Sequence, residues 1–303
     1  MTRPLRSLLI GDVDYYPSEY IFGVAQGMTL LGHWHTSINL RAGIDTIAGR
    51  IRLVRPDVLW GHMLLWPPAP TSAVALLDLC EHARKSYGTK VLIHDGDARP
   101  ETRWPHDISS AVDLALCNHT APRAAWNIPT LRWPYGAFVQ AEPAQRQLDL
   151  ACDLFFAGRL GEGIYRERSM FVETLRRHLG PAFRAVTSGG EHTLFRTPEV
   201  SASANAILGW GRPEASGWID VRVFQYPGAG GVLLHDDAGG YLEPDVHYLS
   251  VQRGDVDSVL AAIEVAKGYG PDIRDAAFTY VQGHHTWTHR VLQALEAVDV
   301  CWR

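Results

Sequence analysis

Short, fully apolar runs alternate along this chain with longer stretches in which apolar residues recur every three or four positions. In the first half the runs are RSLLIG, WHTSINL, DVLWGHM, KVLIHD and DLALCN, and SEYIFGVAQGMTLL and SAVALLDLCEHARKS lie between them. Apolar strands spaced by amphipathic helices predict a parallel sheet covered on both faces. The alternation restarts at LFFAG, followed by the helix SMFVETLRRHL and the strands FRAVTSG and ANAILGW. IDVRVFQYPGAG reads as a helix entry, and GVLLHDD and HYLSV as further strands. DVDSVLAAIEVAKGYG is an amphipathic helix with a glycine stop, and the tail from about Asp272 is helical.

Between the two runs of elements, Thr130 to Gln147 is rich in proline and polar residues and has no period, which marks a linker. The chain of 303 residues then divides into residues 1–147, with 130–147 as connection, and residues 148–303, whose last helix has the freedom to return to the first domain. The expected fold class is α/β, two Rossmann-like domains facing one another across a cleft. Open parallel sheets bind ligands beyond the carboxyl ends of their strands, where strand order reverses. With an order of 3-2-1-4-5 in the first sheet, that point falls between its first and fourth strands.

Composition narrows the setting. No apolar run approaches the ~20 residues of a membrane helix, and the N-terminal run ending at Gly11 and Asp12 reads as a buried strand, not a signal peptide. Cys80, Cys117, Cys152 and Cys301 have no CxxC spacing, which suits reduced thiols in a cytoplasm. A net charge of −5 argues against indiscriminate nucleic-acid binding.

Against that background GRLGEGIYRER is unexpected. A helix N-terminus carries partial positive charge and favours acidic neighbours, yet here Arg159, Arg166 and Arg168 crowd it. Gly158, Gly161 and Gly163 let a backbone approach a ligand closely, and guanidinium groups suit phosphate oxygens. The spacing matches neither a dinucleotide fingerprint nor a P-loop. In VRVFQYPGAGGVLLHDD, Arg222 and Gln225 lie three apart on one helical face before a glycine-rich turn. Arg222 is placed to reach the same anion, and the Gln225 amide to bond a ribose or sugar hydroxyl.

Together these stretches carry a resemblance. FFAG at 155–158 with Arg168, then Arg222, Phe224, Gly228 or Gly230, Leu233, Leu234 and Asp236, then His285, Thr286, Trp287, His289 and Arg290 follow a family pattern. Residues 152–295 thereby resemble the nucleotide-sugar-binding domain of GT-B glycosyltransferases, especially the bacterial spore-maturation group. The resemblance implies that the arginines hold a donor diphosphate and that Arg222 and Gln225 contact the nucleoside. Gly11 and Tyr226 complete the expected donor-binding set. The family carries glutamate where this chain has Gln225, which bears on the ribose contact and the donor. In layout, the arginines and acids also resemble phage enzymes that glucosylate hydroxymethylated DNA bases.

Glycosyl transfer with inversion needs a base on the acceptor hydroxyl. Carboxylates follow the first and fourth apolar strands in GDVD and HDGD: Asp12, Asp14, Asp95 and Asp97. Asp95 is the favoured base, with Asp97 and Asp12 as rivals and His62, after DVLWG, as a further candidate. Asp before Gly is also an ordinary turn residue. His33, His35, His284, His285 and His289 lack Cys or acidic partners at ligand spacing, so no metal site is assigned. Trp60, Trp66, Trp104, Trp126 and Trp133 line an acceptor groove or pack the core, and with Arg99, Arg103, Arg123 and Arg132 nearby they also allow a nucleic-acid acceptor surface.

The expectation is a metal-independent, inverting transferase with no cofactor, taking a UDP-sugar as co-substrate. Its acceptor is a hydroxyl on a small molecule, a glycan or a modified DNA base. The alternatives are a nucleotide-sugar epimerase or hydrolase, and a binding protein without catalysis.

Overall fold

The computed structural model describes residues 3–11, 19–62, 64–68, 71–96, 104–186, 197–210 and 217–299. Two compact units emerge, one of Met1–Tyr135, Glu214–Trp218 and Trp287–Arg303, the other of Gly136–Pro213 and Ile219–Thr286.

The first unit runs β1 (Arg6–Gly11), α1 (Glu19–Leu30), β2 (Trp34–Asn39), α2 (Ile44–Val54), β3 (Val58–His62), α3 (Ala73–Tyr87), β4 (Lys90–Asp95), β5 (Leu114–Cys117) and β6 (Thr130–Arg132). Its sheet is parallel throughout, in the order β2-β1-β3-β4-β5-β6. The expected order 3-2-1-4-5 is therefore corrected. Both orders are built from right-handed crossovers, so the alternation of strands and helices does not choose between them. The reversal falls between β1 and β3, whose carboxyl ends are Gly11 and His62. Thr130–Arg132, expected in a connection, is the sixth strand.

Burial explains the element types. Leu8, Ile10, Leu59, Val91 and Ile93 of the strands share one core with Ile47 and Ile51 of α2 and Leu76 and Cys80 of α3. The Ser72 side chain accepts from Ala75 N at 3.5 Å to start α3, and Gly88, at φ 69°, ends it in the left-handed region.

The second unit runs β7 (Cys152–Ala157), α4 (Arg166–Leu179), β8 (Phe183–Val186), α5 (Thr197–Ser203), β9 (Ala204–Leu208), α6 (Arg222–Gly228), β10 (Leu233–His235), β11 (Leu249–Ser250) and α7 (Val256–His284). Its parallel sheet has the order β11-β10-β9-β7-β8. Counted from β7 this is the same winding as the first sheet, and its reversal lies between β7 and β9. Leu154, Phe156, Ala206 and Leu208 meet Val172, Leu175, Val259 and Ile263 in its core.

Asp255 caps α7 by accepting from Asp257 N and Ser258 N at 2.9 and 3.2 Å. The glycine stop expected near Gly270 does not act: the helix runs through Pro271 to His284. Ile273, Ala277 and Val281 continue the buried stripe beyond the proline, and that burial outweighs one lost backbone hydrogen bond. The last helix, α8 (Trp287–Ala297), belongs to the first unit and packs on α1. Gly23 and Gly27 admit it: a Cβ at Gly27 would lie 2.7 Å from Val291 Cγ2, and one at Gly23 would overlap the Trp287 ring. None of the described helices is long and apolar enough to cross a membrane.

Candidate functional site

The two sheets present different chemistry at their carboxyl ends. In the first unit, His62 closes β3 beside Gly11, where a Cβ would come within 3.4 Å of the His62 Cβ and 2.8 Å of Ile21 Cδ1. The β3–β4 register makes His62 and His94 direct cross-strand partners. Tyr20 of α1 lies over both, its ring 5.3 Å from the His62 ring at 22° and 4.6 Å from the His94 ring at 12°. The two imidazoles are 5.5 Å apart. Trp133 and Tyr135 meet His94 edge-on, and Trp287 meets Tyr20 the same way. Burial, then the neighbouring His62 and His119, hold His94 well below the ordinary histidine range, so it is neutral near pH 7. Burial alone pushes the Tyr20 phenol far above its usual range.

Asp95 points to the other face of the sheet, because side chains alternate along a strand. Its Oδ2 meets His119 Nε2 at 2.9 Å and accepts from Arg123 Nε at 2.6 Å. All three side chains are almost completely buried, and Arg123 also stacks on Trp126 at 5.0 Å. A carboxylate enclosed with a guanidinium serves as an ion-paired anchor, which weighs against Asp95 as the favoured base. Asp95, Cys117 and His119 form a group of metal-ligand type, their ligand atoms within 4.8 Å of one another. Arg123 already supplies the positive charge on Oδ2, which disfavours a second cation there. Asp12, Asp14 and Asp97, with Arg99 and Arg103, lie outside the described residues.

The tryptophans serve the core. Trp60, Trp126 and Trp133 are fully buried, donating to Ser7 Oγ, Trp104 O and Arg290 O. Trp66 and Trp104 pack against the same apolar cluster. Arg132 donates to Gly217 O, so neither Arg123 nor Arg132 stands as an open basic surface.

In the second unit, Gly158 and Arg159 follow β7 and Gly209 and Trp210 follow β9. Arg222 opens α6 at this end of the sheet. Its Nε and Nη2 donate to Ala157 O at 2.9 and 2.6 Å, and its Nη1 to both oxygens of the wholly buried Asp220 at 2.8 Å. Gly158 makes room, since a Cβ there would meet Arg222 Nη2 at 3.1 Å. Burial works to raise the Asp220 pKa, but Arg222 foremost, then His235 and the hydrogen bonds from Arg222, outweigh it and hold the carboxyl below its ordinary value.

Arg168 is buried in the first turn of α4 and donates to Arg159 O and Trp210 O, both at 3.3 Å. It thereby ties the loop after β7 to the loop after β9. The guanidinium carbons of Arg159 and Arg168 each stand 5.4 Å from the Tyr165 ring centroid. Gly161 adopts φ 138° and exchanges hydrogen bonds with Ser169 Oγ, and Gly163 adopts φ 67°. Arg166 is exposed at the start of α4.

Gln225 is buried, and its Nε2 has no hydrogen-bond partner among the described residues. Tyr226 is a core residue whose carbonyl accepts from Gly231 N at 2.8 Å. His235 closes β10 against Gly209, its Nδ1 accepting from Asp237 N at 3.0 Å. Burial lowers its pKa although nearby carboxylates act the other way. Arg253 lies over Trp210 at 4.4 Å and donates to Asp236 at 3.3 Å.

The structure thus gathers Gly158, Arg159, Arg168 and Arg222 at one sheet end, and Gly11 and His62 at the end of the other sheet. Sequence reasoning missed Tyr20, His94, His119, Asp220 and Arg253, and it named Arg123 without its pairing to Asp95. Asp220 two residues before Arg222 was the visible signal for that pair. The HTW-x-H-R tail is largely architectural: Trp287 is fully buried and Arg290 Nε donates to Tyr135 O at 3.3 Å, both in the first unit.

No family model matches the chain, and no curated protein matches it. Solved structures do. HepE of Anabaena, crystallised with UDP-glucose, aligns over 97% of this chain and 99% of its own at a TM-score of 0.60 and 10% identity. HepE crystallised with UDP aligns over the same shares at 0.58 and 10%. The lipopolysaccharide outer core galactosyltransferase WaaB, in apo form, covers the same shares at 0.53 and 10%. The fold is that of the GT-B glycosyltransferases. It consists of two parallel-sheet α/β units.

Proposed function

We propose that this protein transfers a sugar from a nucleoside diphosphate sugar, with UDP-sugars preferred, to a hydroxyl acceptor with inversion at the sugar. The observation that carries the reading is the near end-to-end likeness to a protein crystallised with UDP-glucose and with UDP. Arginines gathered at the carboxyl end of the second sheet support it, because a departing pyrophosphate requires cations in place. The matched motifs support a position beside the spore-maturation group.

The roles divide as follows. Arg159 and Arg166 contact the diphosphate, while Arg168 and Arg222 are positioning residues that brace the surrounding loops through backbone carbonyls. Gln225, a buried amide whose Nε2 has no partner among the described residues, serves the nucleoside. Protein cations, not a metal ion, then answer the phosphate charge. His62, half-buried at the strand reversal of the first sheet, replaces Asp95 as the base. It takes the acceptor O–H proton while the oxygen bonds to the anomeric carbon. The bond from that carbon to the phosphate oxygen breaks, and its electron pair leaves with UDP.

The test uses water as acceptor. Incubation with UDP-glucose and other UDP-sugars is expected to release UDP slowly, and His62→Ala to slow release by about 10²- to 10⁴-fold without lowering thermal stability. Added hydroxymethylated DNA reports on a DNA acceptor. No release from any nucleotide sugar contradicts the reading.

A further inference from the structure

Tyr20, His62 and His94 form a unit that the base assignment alone does not require. His62 and His94 stand side by side on adjacent strands, and a third ring from α1 lies nearly parallel to both. Two imidazoles at 5.5 Å are poor neighbours if both are charged, because like charges this close disfavour one another. The surroundings settle which one stays neutral. His94 is almost fully buried, and neither of its ring nitrogens has a hydrogen-bond partner among the described residues. Trp133 and Tyr135 close its remaining edges.

His62 is on the partly exposed side of the pair, with the Tyr20 ring face 5.3 Å away. An aromatic face within about 6 Å of a cation attracts it. Tyr20 Oη is itself buried and finds no partner among the described residues. Among the described residues, the other titratable groups nearby are Tyr135, edge-on to His94, and His119, Asp95 and Arg123, which are paired with one another on the opposite face of the strand.

We infer that Tyr20 and His94 are positioning residues for His62: the aromatic face steadies the imidazolium that forms when His62 accepts a proton, and the neutral His94 holds its ring in place without competing for charge. This rests on the reading of His62 as base. The balance is simple: His62 gains the acceptor proton as the new glycosidic bond forms, and its positive charge exists only from that moment until the proton passes to solvent. A group that stabilises charge arising during the reaction acts on turnover more than on substrate affinity.

The experiment combines NMR titration of the histidine rings with the pH profile of UDP release from UDP-glucose. In the unaltered protein His62 should titrate, and His94 should stay neutral well below the ordinary histidine range. Tyr20→Leu should lower the His62 pKa by about half a unit, and Tyr20→Phe should leave it in place. Because the base works unprotonated, the acid limb of kcat should move to lower pH by the same amount. Its plateau should fall by roughly threefold with KM for UDP-glucose unchanged.

Titration of His94 in the ordinary range overturns the inference, and needs no variant that folds. An unmoved His62 pKa in Tyr20→Leu overturns it as well, while loss of UDP release in His62→Ala leaves the base assignment standing. Undiminished release in His62→Ala removes both.

Discussion

The two units wind their sheets in the same order yet handle charge in opposite ways. The first unit buries its opposite charges together, Asp95 against Arg123 and His119, and leaves a largely neutral aromatic and histidine cluster at the strand reversal. The second unit brings arginines to the equivalent position and braces two of them, Arg168 on loop carbonyls and Arg222 on Ala157 O and Asp220. One topology therefore carries a histidine and aromatic cluster at one sheet end and arginines at the other. What differs is the type of side chain at the strand ends, which the winding does not dictate.

The sharpest way to break this comparison is to remove one member of each buried pair. Asp95→Asn leaves Arg123 buried without its counter-charge, and Arg222→Gln does the same to Asp220. Each should cost about 3–5 kcal/mol in urea unfolding. If Asp95→Asn instead abolishes UDP release at full stability, Asp95 is the base after all and the contrast between the units fails.

A smaller effect is expected from pH. His94 and His235 have folded-state pKa values below the ordinary 6.5. As pH falls through 6.5 the unfolded chain binds protons that the folded chain refuses. Their contribution is therefore complete above 6.5 and declines below it, each histidine weakening the fold by up to about 1.4 kcal/mol per pH unit. The carboxyl of Asp220 adds a loss at still lower pH, since its folded pKa is depressed and the unfolded chain takes up the proton first. Thermal unfolding between pH 5 and 8 checks the histidine part. A flat midpoint between pH 5 and 6.5 shows that neither histidine is held neutral.

Much of this architecture was legible in the residue pattern. The apolar runs that mark β1, β3, β4, β7 and β9 are buried on both faces, so period and burial agree and the strands declare themselves. Strand order was not legible, because right-handed crossovers permit more than one winding, and the base assignment inherited that ambiguity. Asp95 was the favoured base because it directly follows the fourth apolar strand, where the expected strand order put the cleft. Its real partner, Arg123, lies 28 residues away, and no local pattern encodes that pairing. The run through Pro271 in α7 was hidden for a similar reason: tertiary burial beyond the proline decided it. The glycine-and-arginine loop after β7 was found early because its anomaly is local, positive charge at a helix start. What Arg168 and Arg222 grip there, backbone carbonyls and, for Arg222, also the Asp220 carboxylate, became visible only in three dimensions.

Calorimetric titration with UDP tests the central claim most directly. The account predicts saturable binding that weakens by at least tenfold when Arg159 and Arg166 are both changed to alanine, since each charge-assisted hydrogen bond is worth about 1.5–3 kcal/mol. Absence of heat and of thermal stabilisation at millimolar UDP and UDP-glucose, or binding indifferent to both arginines, would contradict it.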